Sequence, residues 1–311
     1  MKIAVTGGAG FIGSHIVEYW SGQNAEILIL DNLKTGYRNN VKGFTGIDFI
    51  EGSINNKSLV NEILQGVDYV FHLAAMVSVP ESIENPEECV DVNVKGLLNV
   101  LDSCVKNGVK KIIFSSSAAV YGDDPALPKT VNLKPKPLSP YGITKLDGEY
   151  YLQMFEREYG LNAVSLRYFN VFGPRQDPKS QYAAAVPIFI YKALKNEDIT
   201  IYGDGEQTRD FIYVKDVVKA NILAATNENV SGVFNVANEK TITINELANT
   251  IIELTQSKSK IIYAAERPGD IKHSLASIKE TRERLGFEPE HDLKTALEET
   301  IKFFEKKTEN K

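Results

Sequence analysis

The chain of 311 residues is 43% hydrophobic and 24% charged, carries a net charge of −6 and has two cysteines. Its length suits about two domains, or one large α/β unit with an appendage, and the apolar share is enough for a sizeable core. The acidic balance speaks against a general nucleic-acid or anionic-membrane binder while leaving room for a local basic pocket, and Cys89 and Cys104 make no disulfide framework.

Lys2–Thr6 is an apolar strand that runs straight into Gly7, Gly10 and Gly13, and a helix follows over about Phe11–Ser21. Gly7 permits the tight turn, Gly10 lets a pyrophosphate approach the backbone, and Gly13 allows close packing of the helix on the strand. The helix start offers unpaired N–H groups and the positive end of a dipole to phosphate oxygens. Because a core strand begins at the second residue, no secretory leader is expected, and no apolar run is long enough for a bilayer. A reducing cytoplasm is the expected setting.

Glu26–Asp31 reads as a second buried strand ending on a carboxylate. Asp31 stands 18 residues past Gly13, where a dinucleotide fold places the acid that accepts hydrogen bonds from the adenosine ribose. An acid repels a 2′-phosphate, so NAD is favoured over NADP. Asn32, Thr35 and Gly36 continue as a polar loop on the adenosine side. After a short strand at 48–51, Ile54 is placed to pack on adenine, and a helix is expected over Asn55–Leu64. Val67–Leu73 forms the fourth strand, and the small Ala74 and Ala75 let a cofactor lie across the strand ends. His72 lies inside this strand with no acid or nucleophile nearby, and is read as structural.

A long helix spans about Pro86–Lys106 and contains Asn93. The strand Lys110–Ser115 leads into Ser116, Ser117, Ala118 and Ala119. A proline-rich stretch, Pro125–Pro140, crosses the surface to a helix over Tyr141–Tyr159, and a sixth strand covers Asn162–Arg167. This alternation predicts an α/β fold with a doubly wound parallel sheet covered on both faces. From Phe169 the pattern turns irregular, and strand and helix signals return over 214–225 and 232–237. The division expected is a dinucleotide-binding domain of 1–172 plus about 212–238, and a smaller mixed α/β domain of about 173–211 plus 239–311.

Tyr141 and Lys145 are four residues apart and project from one helix face. A free phenol titrates near 10 and is a poor base at neutrality, but a lysine ammonium and a nicotinamide cation both favour the phenolate. Ser117 is placed to orient a substrate hydroxyl. Such a set removes a proton from a C–OH while hydride leaves that carbon for nicotinamide. No metal ligand set is assigned.

With Thr6-Gly7-Gly8-Ala9-Gly10-Phe11-Ile12-Gly13, Asp31-Asn32-Leu33, His72-Leu73-Ala74-Ala75, Ser115-Ser116-Ser117, Tyr141-Gly142-Ile143-Thr144-Lys145, Arg167-Tyr168-Phe169-Asn170, Arg209-Asp210-Phe211 and Arg267-Pro268-Gly269-Asp270 in this order, the chain resembles the extended short-chain dehydrogenase/reductase family. Within it, the nucleotide-sugar 4-epimerases are the most similar, over essentially the whole chain. The resemblance implies a Rossmann-type sheet, tightly held NAD, Tyr141 as base and acid, Lys145 on the nicotinamide ribose and Ser117 on the sugar hydroxyl. It also implies cofactor contacts from Phe11, Ile12, Ser53, Leu73, Asn93, Ser115, Tyr168 and Val171. Substrate contacts are implied at Ser78, Gln176, Val186, Pro187, Tyr202 and Asp270, with Asn170, Arg209 and Arg267 gripping a UDP diphosphate. Arginine forks suit phosphate oxygens better than a lysine point charge does.

Two departures stand out. Ser53 replaces the acid often found before the adenine-packing residue, and Val77 replaces a lysine common in galactose-type epimerases. Related dehydratases carry an Asp-Glu pair where this chain has Ala118-Ala119, and two methyl groups move no protons, so dehydration is disfavoured. The acid of decarboxylating relatives is missing from the same stretch. What remains is reversible oxidation at C4 of a UDP-hexose, with NAD regenerated in each cycle. The alternatives are another nucleotide-sugar enzyme of the family (a 4,6-dehydratase or reductase) and a non-catalytic NAD-binding regulator. In the resembling epimerases the position of Ser274 gates the sugar pocket, and a small residue leaves room for a 2-acetamido group. The resemblance therefore implies UDP-N-acetylglucosamine and UDP-N-acetylgalactosamine as substrates, with UDP-glucose and UDP-galactose. The two long helices carry apolar residues on more than one face, which predicts a homodimer built on them.

Overall fold

The computed structural model describes residues 1–178, 184–266 and 272–309. In chain order the first half comprises β1 (Lys2–Thr6), α1 (Phe11–Gly22), β2 (Glu26–Asp31), β3 (Ile47–Glu51), α2 (Lys57–Ile63), β4 (Tyr69–His72), α3 (Val79–Glu84), α4 (Pro86–Val90), α5 (Leu97–Lys106), β5 (Lys111–Ser117), α6 (Pro140–Tyr159) and β6 (Asn162–Tyr168). The second half comprises β7 (Val171–Phe172), α7 (Ala185–Leu194), β8 (Ile199–Tyr202), β9 (Thr208–Arg209), β10 (Ile212–Tyr213), α8 (Val214–Thr226), β11 (Gly232–Val236), β12 (Ile242–Thr243), α9 (Ile244–Thr255), β13 (Ile261–Ala264), α10 (Lys279–Leu285) and α11 (Leu293–Glu309).

Seven strands form one parallel sheet in the order β11-β6-β5-β4-β1-β2-β3. Alternate residues of β1 face opposite layers, as the period of two requires. Ile3 and Val5 join Ile16, Val17, Trp20, Phe71, Val217 and Ala220 beneath α1 and α8. Ala4 joins Val60, Leu97, Val100, Ile112, Phe114 and Leu152 beneath α2, α5 and α6. Burial on both faces explains the unbroken apolar run of β2. The connections diverge between β1 and β4, and in open α/β sheets ligands bind in the crevice at such a switch point.

A third apolar cluster lies outside the sheet. Phe172, Val186, Phe189, Ile190, Phe211, Leu247, Ile251, Leu297 and Phe304 assemble it from α7, α9, α11 and the short strands. β10 pairs with β7, β12 with β9 and β13 with β8, so each strand of the irregular region finds its partner far along the chain.

The helix expected over Pro86–Lys106 is divided. A π turn over Asp91–Gly96 separates α4 from α5, and α3 precedes them. Two close contacts fall within that turn. A Cβ on Gly96 would stand 2.6 Å from Ile54 Cδ1, so the backbone is pressed against β3's exit loop. Asn93 faces inward, donating to Met76 O (3.0 Å) and Thr144 Oγ1 (3.0 Å) and accepting from Met76 N (2.8 Å).

α6 is bounded by chemistry that the sequence displays. Ser139 Oγ accepts from Gly142 N at 3.1 Å, Pro140 fills the first turn, and Gly160 ends the helix at φ +68°. Tyr141 is thereby placed in the first turn, next to the end of β5.

His72 is 2% exposed, with Nδ1 2.8 Å from Thr6 Oγ1 on the neighbouring strand. Burial first, and the Lys145 charge second, lower its pKa to about 3. The folded protein therefore keeps this ring neutral while the unfolded chain takes up a proton below about 6.5. The contribution is fully present above 6.5 and is lost as pH falls toward 3. Between pH 6.5 and 5 the unfolding free energy should drop by about 2 kcal/mol through this residue. Denaturant titrations at both values should show that drop in the wild type and a clearly smaller one in His72→Gln.

Candidate active site

A cleft of about 1920 Å³ runs across the carboxyl ends of the parallel strands. The glycine turn forms its floor. Gly7 has φ +72°, and a Cβ there would meet Ala74 N at 2.8 Å. A Cβ on Gly13 would stand 2.2 Å from Gly7 O, so this glycine lets the helix close onto the turn itself. Gly10 caps α1, whose first turn has no side-chain cap and no acid. Phe11 and Ile12, in that turn, line the cleft.

Asp31 ends β2 at 6% exposure. Its Oδ2 accepts from Ala9 N (2.9 Å) and its Oδ1 from Leu33 N (2.8 Å), leaving each oxygen a second acceptor site. A Cβ on Gly36 would come within 3.0 Å of both oxygens. Asn32 and Thr35 are exposed beside it, and Asn32 Oδ1 accepts from Lys34 N at 3.1 Å. Ser53 and the buried Ile54 line the β3 end of the cleft. Leu73, Ala74, Ala75, Tyr168 and Val171 line its middle.

The reactive groups meet where β5 and α6 converge. Lys145, 4% exposed, donates from Nζ to Ser115 O at 2.7 Å. Its Nζ lies 5.7 Å from the Tyr141 ring centre and 5.0 Å from that of Phe114. The Ser117 hydroxyl faces the Tyr141 phenol. Ser116, pointing the other way, donates to Glu149 Oε1 at 2.5 Å. Glu149 also receives Arg167 through Nε–Oε1 (2.8 Å) and Nη2–Oε2 (2.7 Å), and all three side chains are buried. Glu149 lies one helical turn beyond Lys145, so this buried fork fixes the rotation of α6 against β5.

Sequence reasoning missed this fork. Its signal was present, because Glu149 follows Tyr141 and Lys145 at four-residue spacing, but its partner Arg167 lies on β6. A second unread cluster joins the loop after β7 to α1. Arg175, at φ +68°, bonds Glu18 and lies 3.0 Å from His15 Nδ1, while His15 Nε2 is 2.9 Å from Pro174 O.

On the opposite wall, Asn170 Nδ2 donates to Asp210 O (3.0 Å) and Gln176 Nε2 to Val171 O (3.1 Å). Gln176 Oε1 is buried with no hydrogen-bond partner among the described residues. Arg209 and Ser274 line the same wall, Arg209 Nη1 donating to Thr208 O (3.0 Å) and Ser274 N to Thr208 O (3.1 Å). Ser78 lines the cleft while capping α3. Four predicted positions stand elsewhere. Asn93 is occupied by Met76 and Thr144, Val186 and Pro187 are buried in α7, and Tyr202 is exposed at the end of β8. Arg267 and Asp270 lie outside the described residues.

Burial dominates the electrostatics of the reactive groups. Burial raises the Tyr141 phenol above its usual 10, and the Ser117 hydroxyl offsets only part of this. Burial also lowers Lys145 to about 8. Bonded to Ser115 O, with Nζ 5.7 Å from the ring centre, the lysine does not outweigh the burial of the phenol. Tyrosine, lysine and serine on one wall, beside a glycine turn and a strand-end aspartate, define the site of a dinucleotide-dependent enzyme acting on a C–OH group.

The family model described as "NAD dependent epimerase/dehydratase family" matches residues 3–237, and the chain belongs to this family. Its structure superposes with TM-score 0.95 on a UDP-N-acetylglucosamine 4-epimerase from Methanobrevibacter ruminantium M1 in complex with UDP-N-acetylmuramic acid, at 44% identity over 98% of both chains. A UDP-glucose 4-epimerase from Thermotoga maritima with UDP-glucose gives 0.94 at 40% identity, over 99% of this chain and 100% of the other. A UDP-N-acetyl-alpha-D-glucosaminuronate decarboxylase of Bacillus cytotoxicus is 35% identical over 97% of each chain. The cofactor is NAD, and the residues fit it: the glycine cradle leaves no room for a Cβ, the α1 N-terminus lacks any side-chain cap, and Asp31 keeps acceptor sites for ribose hydroxyls.

Lowering an ammonium from 10.5 to about 8 by burial costs the fold about 3 kcal/mol. The cost is present in full below pH 8 and vanishes as pH rises toward 10.5, where the unfolded chain also loses the proton. Lys145→Met should therefore abolish activity and raise stability by about 2 kcal/mol at pH 7, after about 1 kcal/mol is returned for the bond to Ser115 O. Thermal melts should show a higher Tm for the variant at pH 7, the gap narrowing by pH 10.

Proposed function

We propose that this protein is a UDP-sugar 4-epimerase that inverts C4 of a UDP-hexose through a transient 4-keto sugar. The single observation that carries the reading is the cluster of Tyr141, Lys145 and Ser117 on one wall, with Ala118 and Ala119 beside them in place of a second acid and base. NAD, when bound, supplies the reversible two-electron oxidation at that carbon. Tyr141 takes the proton from the C4 hydroxyl and gives one back to the C4 oxygen of the product. Ser117 holds the same oxygen and shares its proton with the phenol. Lys145, anchored on Ser115 O, keeps its ammonium beside the ring, and its depressed pKa keeps that charge responsive to what shares the pocket. Asn170 and Arg209 on the opposite wall, with Arg267, hold the diphosphate while the sugar turns over. Decarboxylation and 4,6-dehydration each need a further proton-transfer group, and the methyl groups of Ala118 and Ala119 supply none.

The same reading assigns the glycine turn, Asp31, Asn32, Ser53, Ile54, Leu73, Ala74, Ala75, Tyr168 and Val171 to the cofactor. It divides the chain into a cofactor-binding part of 1–172 plus about 212–238 and a sugar-nucleotide part of about 173–211 plus 239–311. Ser274, half-buried on the cleft wall, supports N-acetylated substrates alongside plain hexoses. Val90, Ile143 and Tyr150 are 47–55% exposed on α4 and α6, which supports a homodimer across these helices. Cys89 and Cys104 are buried and unpaired, which suits a reducing cytoplasm.

Incubation with the four UDP-sugars, with products separated and absorbance at the reduced-nicotinamide band recorded, should give epimer pairs without net NADH. Stoichiometric NADH would identify a dehydrogenase instead. Tyr141→Phe should lower kcat by about 10²–10⁴-fold with bound NAD retained. Ser274→Tyr should abolish activity on N-acetylated substrates and spare glucose and galactose; equal loss on both would refute the gate.

A further inference from the structure

Asp210 is wholly buried next to Arg209, yet it makes no contact with the cleft. The backbone around it explains what it does. Residues 208 and 272–274 run side by side: Thr208 N donates to Lys272 O (3.0 Å) and Ser274 N to Thr208 O (3.1 Å). At 210 the chain turns away, and Ile212 N donates to Asn170 O instead (3.2 Å). The next inward amide of the partner segment, Ala276 N–H, would then be buried without an acceptor. Asp210 Oδ2 takes it at 3.2 Å. Asp210 Oδ1 accepts from Asn238 N at 2.9 Å, and the Glu239 amide also bonds the carboxylate. Its backbone carbonyl receives Asn170 Nδ2. One side chain thus extends a ladder that the backbone abandons, and joins the end of β11, the segment bearing Ser274 and the loop bearing Asn170.

We propose that Asp210 is a positioning residue for substrate recognition: it pins the 272–276 segment so that Ser274 and Arg209 present a fixed aperture to the sugar nucleotide. This rests on the reading of the cleft as a UDP-sugar site. The carboxylate is the fitting group because it accepts from several amides at once and donates nothing. An asparagine of the same shape must turn its Nδ2 toward one of them and loses that bond.

Asp210→Asn should raise KM for UDP-sugars by about tenfold or more, with kcat within about threefold and bound NAD equimolar. A fall in kcat at unchanged KM, or loss of NAD together with substrate affinity, would overturn the proposal, because either marks a general structural role. Amide exchange on the wild-type protein provides a second measurement that needs neither variant nor substrate. The Ala276 amide should exchange at least about 100-fold slower than an unprotected amide. In Asp210→Asn, acceleration should be confined to Ala276, Asn238 and Glu239. Fast exchange of Ala276 in the wild type would sink the idea even if the variant failed to fold. If the wild type turned over no UDP-sugar, the proposed reaction would fall, while the exchange result would still decide whether Asp210 pins the segment.

Discussion

The buried fork between Glu149 and Arg167, shared with Ser116, is the constraint on which the site depends. It ties one turn of α6 to β5 and β6 at once, with every side chain nearly inaccessible to water. Removing one partner from such a pair leaves an uncompensated buried charge, typically costing about 3–5 kcal/mol. The fork therefore opposes rotation of α6, which also carries Tyr141 and Lys145. Ser115 and Ser117 lie on either side of Ser116 in the same strand, so the bond that holds the helix also sets the height of their wall.

Around this anchor the fold carries several polar groups at a cost. Lys145 is held at about 8 and Asp210 is pushed up to about 6, in both cases first by burial. Each is compensated by backbone rather than by an opposite charge: the Ser115 carbonyl for the lysine, and backbone amides for the aspartate. Backbone partners leave the lysine charge available to the cleft, where a carboxylate partner would neutralise it. The ion pair is reserved for the place where rigidity alone is needed.

The two walls of the cleft are built differently. The strand-end wall is set by a parallel sheet buried on both faces, with contacts close in sequence and regular in period. The opposite wall is assembled from short segments around residues 170, 209 and 274, joined by a few bonds such as Asn170 Nδ2 to Asp210 O. Arg175, bonded to Glu18 and beside His15, ties this wall to the helix that starts at the glycine turn.

The sequence by itself determined the sheet and the strand-end wall of the cleft. The glycine turn, the strand ending on Asp31, the small Ala74 and Ala75, and the Tyr141–Lys145 pair each depend on local geometry, and each lies on or beside the cleft. Local pattern also placed a helix over Tyr141–Tyr159, within one residue of α6. It did not give the π turn at Asp91–Gly96, whose contacts to Ile54, Met76 and Thr144 come from other elements. Nor did it give the inward turn of Asn93 or the burial of Val186 and Pro187. Only the tertiary structure decided the fork of Glu149 with Arg167, the amides gathered by Asp210 and the high phenol pKa of Tyr141. Those follow from partners distant in the chain and from exclusion of water, and neither quantity is written in local spacing.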